Sequence, residues 1–404
     1  MTARGQRRRR KLGLALAGGG PIGGVYEIGA LCALEDSLEG VDFSDLDIYV
    51  GVSSGALVAA GLANGISPRE MYRVFVDNAS EEYPVSPNVF LKPAFGEYLR
   101  RIAVAPGLVA AAVAETLRHP LAVGPLAAFS RLGRALPTGI FDSAAIERFL
   151  KELFQGHGRS NDFRHLRAQL FVVATDLDTG GSVEFGAPGN DGVPISRAVQ
   201  ASLALPGLYP PVEIGGRHYV DGALRKTLHA SVALREGADL VLCVNPLIPY
   251  DARRARERRH GQPRDLAAGG LPVVLSQTFR ALIQSRMQVG MSRYDSQYRN
   301  AHVILFEPSP DDAEMFFTNV FSYANRRRIW EHAYARTRDD LRRRRAQLEP
   351  KLARYGIRMR EEARAPVPAC GEPMEAALRR LSEALDRLAG WLRGRDGVPA
   401  GKGS

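Results

Sequence analysis

The amino-acid sequence predicts an α/β fold of three layers, in which helices flank a mostly parallel central sheet, followed by a helical, arginine-rich C-terminal extension. Three observations lead to this prediction. Short apolar segments typical of buried strands alternate with helical patterns through the first 245 residues, as in a parallel sheet. Two of these segments end in glycine-containing turns that lead directly into a helix. From about residue 250, helical patterns rich in arginine predominate.

The first strands and helices have the clearest patterns. Residues 12–17 are apolar and are followed by three glycines, which predicts a buried strand that meets a tight turn. Apolar residues at helical spacing follow over residues 25–38. Residues 47–51 predict a second short strand, and the small apolar residues 56–63 predict a buried helix.

The rest of the predicted sheet follows a stretch, residues 84–140, whose proline, alanine and glycine content favours a helical insertion or lid. The later elements are recognised by β-branched runs, turn glycines and helical periodicity. They are a helix over 144–154, a strand over 169–175, its hairpin partner over 182–185, a helix over 194–201, two strands within 212–220, a strand over 240–244 and a last strand over 302–306.

The positive charge is concentrated in three segments of the chain, which together carry +17 against a net charge of +10, so the remaining residues carry −7. Residues 1–11 carry six basic residues and no acid, residues 253–264 six against one, and residues 326–345 nine against three. Clustered arginine favours an anionic surface as partner, either phospholipid or nucleic acid, although solvated helix faces explain it equally well. Nucleic acid is disfavoured because no aromatic residues are interleaved with the basic ones in 253–264.

Cysteine and histidine patterns argue against disulfides and metal ions. The three cysteines are far apart and form no C-x-x-C pair, and the eight histidines form no zinc-binding motif. No apolar run approaches the ~18–20 residues of a spanning helix, and the apolar run after the basic N-terminus is shorter than that of a signal peptide. We therefore expect a cytoplasmic protein without a cofactor, whose basic segments make peripheral contact with anionic membrane.

The strongest local motif is G-x-S-x-G at residues 51–55, between a predicted strand and a helix of small residues. In a nucleophile elbow, Gly51 and Gly55 permit a turn so tight that the Ser53 hydroxyl reaches the N-terminus of the next helix. The free N–H groups there can stabilise negative charge. Ser53 is therefore the candidate nucleophile.

The glycine loop at residues 18–23 matches G-x-G-x-x-G, which also occurs in nucleotide-binding proteins. A dinucleotide site would need an acidic residue at the end of the second strand, where Gly51 stands instead, and no lysine follows the glycines. Backbone N–H groups of consecutive glycines can instead stabilise an oxyanion. We therefore predict an oxyanion hole formed by Gly18, Gly19, Gly20 and Gly23.

The base that activates Ser53 is the least obvious part of the site. By chain order, His229, His302 and His332 are available for a triad, but none has a distinctive sequence context. Asp221 follows a predicted strand and is succeeded by the small residues Gly222 and Ala223, an arrangement that presents one carboxylate close to another element. A plain Asp-Gly turn would look the same.

Taken together, these motifs resemble those of patatin-like phospholipases. G-G-G-x-x-G at 18–23, G-x-S-x-G at 51–55 and D-G-A at 221–223 occur in the family's order, and residues 201–211 resemble the segment that precedes its aspartate. The resemblance covers roughly residues 12–245. It implies a patatin-like fold, Ser53 as nucleophile, Asp221 as proton acceptor and no metal. Ile22 departs from the family, since many members have Arg or Lys at that position.

The resemblance also suggests domain boundaries. We expect a basic N-terminal tail over 1–11, a catalytic domain over 12–245, a helical extension with one strand over 246–350, and a linker with an amphipathic helix over 351–404. The apolar stripe of that last helix favours packing, on this chain or on a second copy in a homo-oligomer, over membrane anchoring. Its members are Met374, Leu378, Leu381, Leu385, Leu388 and Leu392.

The expected activity is hydrolysis of fatty-acyl esters of phospholipids, lysophospholipids or acylglycerols through a Ser–Asp dyad and an acyl-enzyme. Two alternatives remain open. One is an α/β-hydrolase esterase with a Ser-His-Asp triad, although its oxyanion glycines usually lie further ahead of the serine. The other is a non-catalytic protein that binds anionic lipid through its arginine clusters.

Overall fold

The computed structural model describes residues 9–77, 92–94, 98, 137–257, 265–318 and 325–361. The described strands are β1 (Leu12–Leu16), β2 (Leu38–Glu39), β3 (Ile48–Val52), β4 (Gln169–Asp176), β5 (Ser182–Phe185), β6 (Val212–Ile214), β7 (Arg217–Asp221), β8 (Leu240–Val244), β9 (His302–Phe306) and β10 (Arg358–Met359).

Eleven α-helices are described, together with three short 3-10 turns. The helices are α1 (Gly20–Ser37), α2 (Ser54–Ala63), α3 (Pro68–Phe75), α4 (Ala144–Phe154), α5 (Ile195–Ser202), α6 (Ala230–Arg235), α7 (Ala252–Glu257), α8 (Gly270–Gln297), α9 (Ala313–Phe317), α10 (Arg326–Arg343) and α11 (Arg345–Ala353).

Eight of these strands form one mixed sheet in the order β6-β7-β4-β3-β1-β8-β9, with β5 also paired to β4. The pairs β4–β3, β3–β1, β1–β8 and β8–β9 are parallel. The strands β5, β6 and β7 are antiparallel to their partners. The mostly parallel sheet predicted from the sequence is therefore confirmed, and β9 extends it beyond residue 245.

Hydrophobic residues cover both faces of the sheet. Side chains alternate along a strand, so Leu14 and Leu16 pack against one cluster that includes α1, while Ala15 packs against another that includes α6. Every residue from Gly13 to Leu16 is buried, as expected for a central parallel strand. Helices thus lie on both sides of the sheet, which confirms the three-layer arrangement.

Helix α1 begins at Gly20, five residues earlier than the helix predicted over 25–38. Proline is tolerated in the first turn of a helix because the N–H groups there have no partner within the helix, so Pro21 does not delay the start. The glycine loop is consequently short, and its last residues already belong to the helix. The N-terminus of α1 therefore lies at the end of β1.

The C-terminal region is attached to the body of the protein by α10, which packs along α1. Gly29 permits this close approach, since a side chain there would collide with the Trp330 carbonyl oxygen and the Ala333 side chain. The Tyr334 hydroxyl donates a 2.8 Å hydrogen bond to the buried carboxylate of Asp36. The arginine-rich helix is thus part of the core on one face.

The first residues of the segment expected to be a linker, from residue 351 onward, form regular secondary structure. Helix α11 continues to Ala353, and β10 pairs antiparallel with β2, a contact between residues about 320 positions apart that no local pattern indicates. The amphipathic stripe over 374–392 and the basic residues 1–8 lie outside the described residues. Of the insertion over 84–140, only residues 92–94, 98 and 137–140 are described.

Candidate active site

The turn between β3 and α2 has a strained backbone at Ser53. With φ 54° and ψ −125°, Ser53 is the one non-glycine residue of the described chain with positive φ. Such a conformation costs about 1–3 kcal/mol and persists only where the surroundings enforce it. Gly51 and Gly55 leave room for the tight turn, because a side chain at Gly55 would collide with the backbone of β1. Ser53 thus lies at the N-terminus of α2.

Ser202 fixes this turn from a neighbouring helix, a role that the sequence motifs did not reveal. The Ser53 N–H donates a 2.8 Å hydrogen bond to the Ser202 hydroxyl oxygen, and the Ser202 hydroxyl donates to the Val173 carbonyl at 2.6 Å. Both bonds are buried, so the last residue of α5 ties the elbow to β4. Its position within the family-like segment 201–211 is the signal that could have identified it.

Strand register brings Asp221 to the serine. Val52, the last residue of β3, is the register partner of Val173, and Asp221, the last residue of β7, is the partner of Ala174. Consecutive residues of β4 therefore position the strand ends that carry Ser53 and Asp221. The sequence separation between the two side chains is large, but the register of one strand sets their distance.

The carboxyl of Asp221 is buried, with 2% of its surface exposed. Burial raises its pKa to about 6, while hydrogen bonds from the Ser53 side chain and the Ala223 N–H oppose that rise. The Ala223 N–H lies 2.8 Å from the carboxylate oxygen and orients it. A raised pKa makes this aspartate a stronger base than an exposed one and leaves it mostly ionised at neutral pH.

The four glycines predicted for the oxyanion hole have different roles in the structure. The Gly23 N–H donates to the Gly19 carbonyl at 3.0 Å, the first hydrogen bond of α1, and the Gly18 N–H donates to the Thr227 carbonyl at 3.4 Å. Among the described residues, the N–H groups of Gly19 and Gly20 at the N-terminus of α1 have no hydrogen-bond acceptor, so they are available for a ligand. Gly18 has a steric role instead, because a side chain at this position would crowd Ser53 and Ala223.

Ser53 and Asp221 open into a cavity of about 320 Å³, within the range of small-molecule sites. Its wall is mostly apolar and comes from both halves of the chain. The apolar lining includes Ile22, Val25, Ile28, Leu57, Val58, Phe75, Leu203, Leu205, Leu208, Tyr209, Leu247 and Phe279. The basic side chains Arg280 and Arg326 also line it, and Arg326 donates to the Phe75 carbonyl. An acyl chain fits such a lining, since burial of CH₂ groups is favourable.

No histidine of the described chain lines this cavity. His302 Nδ1 lies 2.6 Å from the Tyr355 hydroxyl, and His332 lies between the carboxylates of Asp312 and Glu314. His229 is buried, and burial together with nearby cations lowers its pKa to about 3. The described residues also contain no group of three or more His, Cys, Asp or Glu side chains able to hold a metal ion.

Sequence comparison agrees with this geometry. The family model for patatin-like phospholipases matches residues 14–234, more than half of the chain. The chain belongs to this family. The matched region begins within β1 and includes the glycine loop, the elbow and Asp221, so all predicted site residues lie inside it.

Curated relatives contain a region that is similar in sequence to this patatin-like region. An uncharacterized NTE family protein of Mycobacterium bovis is 28% identical over 242 residues, which are 58% of this chain and 30% of that protein. A cGAMP-activated phospholipase of Vibrio cholerae is 26% identical over 239 residues, 55% of this chain and 56% of that protein. The matched patatin-like region is thus about a third of the mycobacterial protein and about half of the Vibrio one.

Two solved structures also align with this patatin-like chain. VipD from Legionella pneumophila aligns with a TM-score of 0.35 and 16% identity, over 81% of this chain and 66% of that one. The type III effector protein ExoU aligns with a TM-score of 0.33 and 16% identity, over 83% and 53%.

Proposed function

We propose that this patatin-like protein is a serine lipid acyl hydrolase that cleaves fatty-acyl esters through a Ser53–Asp221 dyad. The observation that carries the proposal is the position of the buried Asp221 carboxyl beside the side chain of a strained serine, where both line an apolar cavity. The cavity supports a lipid substrate, and the family supports ester hydrolysis.

In the proposed reaction, the Ser53 hydroxyl oxygen attacks the ester carbonyl carbon while its proton passes to Asp221. The N–H groups of Gly19 and Gly20 stabilise the resulting oxyanion, with help from the N-terminus of α1. Collapse of this intermediate expels the alcohol, which takes the proton from Asp221, and leaves an acyl-enzyme. Water then attacks the acyl carbon with Asp221 again accepting a proton, which releases the fatty acid and restores Ser53.

Membrane contact is a second part of the proposal, since a lipid substrate resides in a bilayer. One face of α8 lines the cavity, and a neighbouring face exposes Leu271, Leu275, Leu282 and Val289, spaced by four and seven residues. Exposed Arg286 and Arg293 lie on the same face, which complements anionic lipid.

The arginines of 326–345 support membrane contact less well. Arg328 pairs with Glu314, Arg343 with Asp340, and Arg345 with Glu349. Their charge is partly compensated within the chain, so much of this basic segment serves the protein itself. No described helix combines the length and hydropathy needed to cross a bilayer.

Covalent labelling with a fluorophosphonate tests the proposed nucleophile. The full chain should become labelled, and the Ser53→Ala variant should not. Ser54→Ala is the matched control, because it removes the neighbouring hydroxyl and should leave the labelling unchanged. Labelling that survives Ser53→Ala, or no labelling of the native chain, would refute the role of Ser53. A screen of phospholipid, lysophospholipid and acylglycerol esters, with Ser53→Ala as the blank, then identifies the ester.

A further inference from the structure

Arg280 is a buried cation in the wall of the substrate cavity that the sequence motifs did not indicate. It lies on the inner face of α8, where it follows the cavity-lining residue Phe279 in the sequence and precedes the buried residue Ile283 by one turn. Only 8% of its surface is exposed, yet it belongs to the lining of the cavity into which Ser53 opens.

The contacts of Arg280 hold it in place without neutralising its charge. One guanidinium nitrogen donates a 3.2 Å hydrogen bond to the Ile248 carbonyl, and the guanidinium lies over the Phe316 ring at 5.0 Å from its centre. Among the described residues no carboxylate forms an ion pair with it. Burial lowers its pKa to about 10, so it stays protonated at neutral pH.

Two other arginines of the described chain, which are partly buried, form ion pairs with carboxylates. Arg69 pairs with the carboxylates of Asp36 and Glu35, and Arg344 pairs with Asp340 at 2.7 Å. Arg280 is more buried than either, and a buried charge without a counter-ion is costly. Arg280 lines a cavity that would supply a counter-ion when an anionic ligand is bound.

We propose that Arg280 binds the phosphate of a glycerophospholipid substrate and so selects phospholipids over neutral glycerides. This inference rests on the proposed hydrolase function and adds to it the residue that recognises the phosphate. A guanidinium fits a phosphodiester because two parallel N–H groups can donate to two phosphate oxygens. The glycine loop offers no cation for this purpose, since Ile22 lines the cavity there.

The test compares two diacyl substrates in the same neutral detergent micelles, a phosphatidylcholine and a diacylglycerol with identical acyl chains. The Arg280→Met variant should lower kcat/KM for the phospholipid by about 10- to 100-fold, the range expected for loss of a charged hydrogen-bonding partner. Its kcat/KM for diacylglycerol should stay within about twofold of the native chain. Arg280→Lys should restore only part of the preference, because the cation remains but the two parallel N–H groups are lost.

Gln277→Met is the matched control for packing. Gln277 lies one turn earlier on α8 and anchors it to Tyr250 through hydrogen bonds of 3.0 and 2.8 Å, without a charge. This variant should affect both substrates equally. If Arg280→Met also lowers both equally, or changes neither, Arg280 does not recognise phosphate. If it only weakens inhibition by free fatty acid, Arg280 binds the product carboxylate and the proposal is wrong.

A binding measurement separates this inference from the hydrolase proposal. A dialkyl ether phosphatidylcholine has no ester to cleave, so its binding to the Ser53→Ala chain reports the phosphate site alone. Adding Arg280→Met should weaken this binding about tenfold or more and leave binding of a dialkylglycerol unchanged. An equal effect on both ether lipids would overturn the phosphate site, whereas failure of all esters to be hydrolysed would overturn only the proposed reaction.

Discussion

The two halves of this patatin-like chain form the cavity by different means. Residues 12–223 contribute most of the apolar wall and, in addition, the backbone geometry of the reacting groups: strand ends, a positive φ at Ser53 and helix N-termini. Residues 247–326 contribute side chains to the wall, chiefly Leu247, Phe279, Arg280 and Arg326. The reacting groups thus come from tight turns, whereas the C-terminal contribution comes from helices and their flanking loops.

This difference indicates which kind of change each half tolerates. A turn or strand end fixes an atom to within a fraction of an ångström, so adding one methyl group there displaces the reacting groups. A helix face tolerates replacement of a side chain at the cost of altered contacts and substrate preference. We therefore expect variants of the first half to abolish turnover and variants of the second half to change specificity, stability or lipid binding.

The largest expected effect is that of Asp221→Asn, which removes the proposed base. Turnover of the preferred ester should fall by at least ~10³-fold, as in other sites whose catalytic residues act as a unit. The fold should become more stable at pH 7, by up to about 3 kcal/mol, because burial raises the pKa of Asp221 to about 6 and keeping it ionised is costly. Steady-state kinetics and thermal unfolding measure the two effects.

His229→Gln is the control for this variant, since His229 is buried outside the cavity. It should keep the turnover of the native chain per folded molecule. Near-normal turnover of Asp221→Asn together with loss in His229→Gln would replace the dyad by a histidine-dependent mechanism.

Gly18→Ala tests the close packing of the turns in the first half. Its new methyl carbon would lie 2.9 Å from the Ala223 Cβ and 3.1 Å from the Ser53 Cβ, closer than these atoms can approach without movement. We expect kcat to fall by about 10²-fold, because displacement of the nucleophile by even part of an ångström is costly. Gly192→Ala has open space around it and should leave kcat unchanged. Equal kcat in the two variants would contradict this argument.

The pH dependence of kcat/KM tests the environment of Asp221. A base must be ionised to accept the Ser53 proton, and the pKa of Asp221 is raised to about 6 by burial. The rate should therefore rise about tenfold per pH unit below about pH 6 and level off above it. The midpoint should persist in His229→Gln. A midpoint near 4, with the protein still folded, would mean that the carboxyl is not desolvated as described.

Much of the first half could be predicted from the sequence because its chemistry depends on neighbouring residues. The elbow at 51–55, the helix over 144–154 and the strand over 182–185 are defined by local glycine and apolar patterns, and the predicted bounds of the helix and the strand match α4 and β5. The start of α1 was wrong by five residues, because Pro21 lies inside the first turn rather than before it. Hydrophobic periodicity does not reveal that position.

The second half was less predictable because its contributions depend on contacts between distant residues. Nothing near Arg280 marks it as a cavity residue, since arginines are frequent throughout this region. Only the packing of α8 over the cavity distinguishes its inner face from the exposed face that carries Leu282. The pairing of β10 with β2 likewise depends on contact across the whole chain.

Gly29→Ala tests whether the second half stabilises the first without taking part in the reaction. The added methyl carbon would lie 2.7 Å from the Trp330 carbonyl oxygen and 2.9 Å from the Ala333 Cβ, where α10 packs on α1. Overpacking should cost about 1–3 kcal/mol of stability in denaturant unfolding while turnover per folded molecule stays the same. Gly290→Ala, also within a helix but with room for a methyl group, should instead gain up to about 1 kcal/mol.

The smallest effect concerns the arginine clusters, and it distinguishes the two surfaces considered for lipid contact. Arg327 pairs with Glu331 at 3.2 Å on an exposed helix face, so Arg327→Ala should change stability by less than about 0.5 kcal/mol. Because its charge is compensated, partition to anionic vesicles should change less than about twofold. Arg293→Ala, on the exposed apolar face of α8, should weaken partition about fivefold, since one basic residue at a lipid surface contributes about 1 kcal/mol. The reverse ranking would place the membrane against α10 and leave the exposed leucines of α8 without that role.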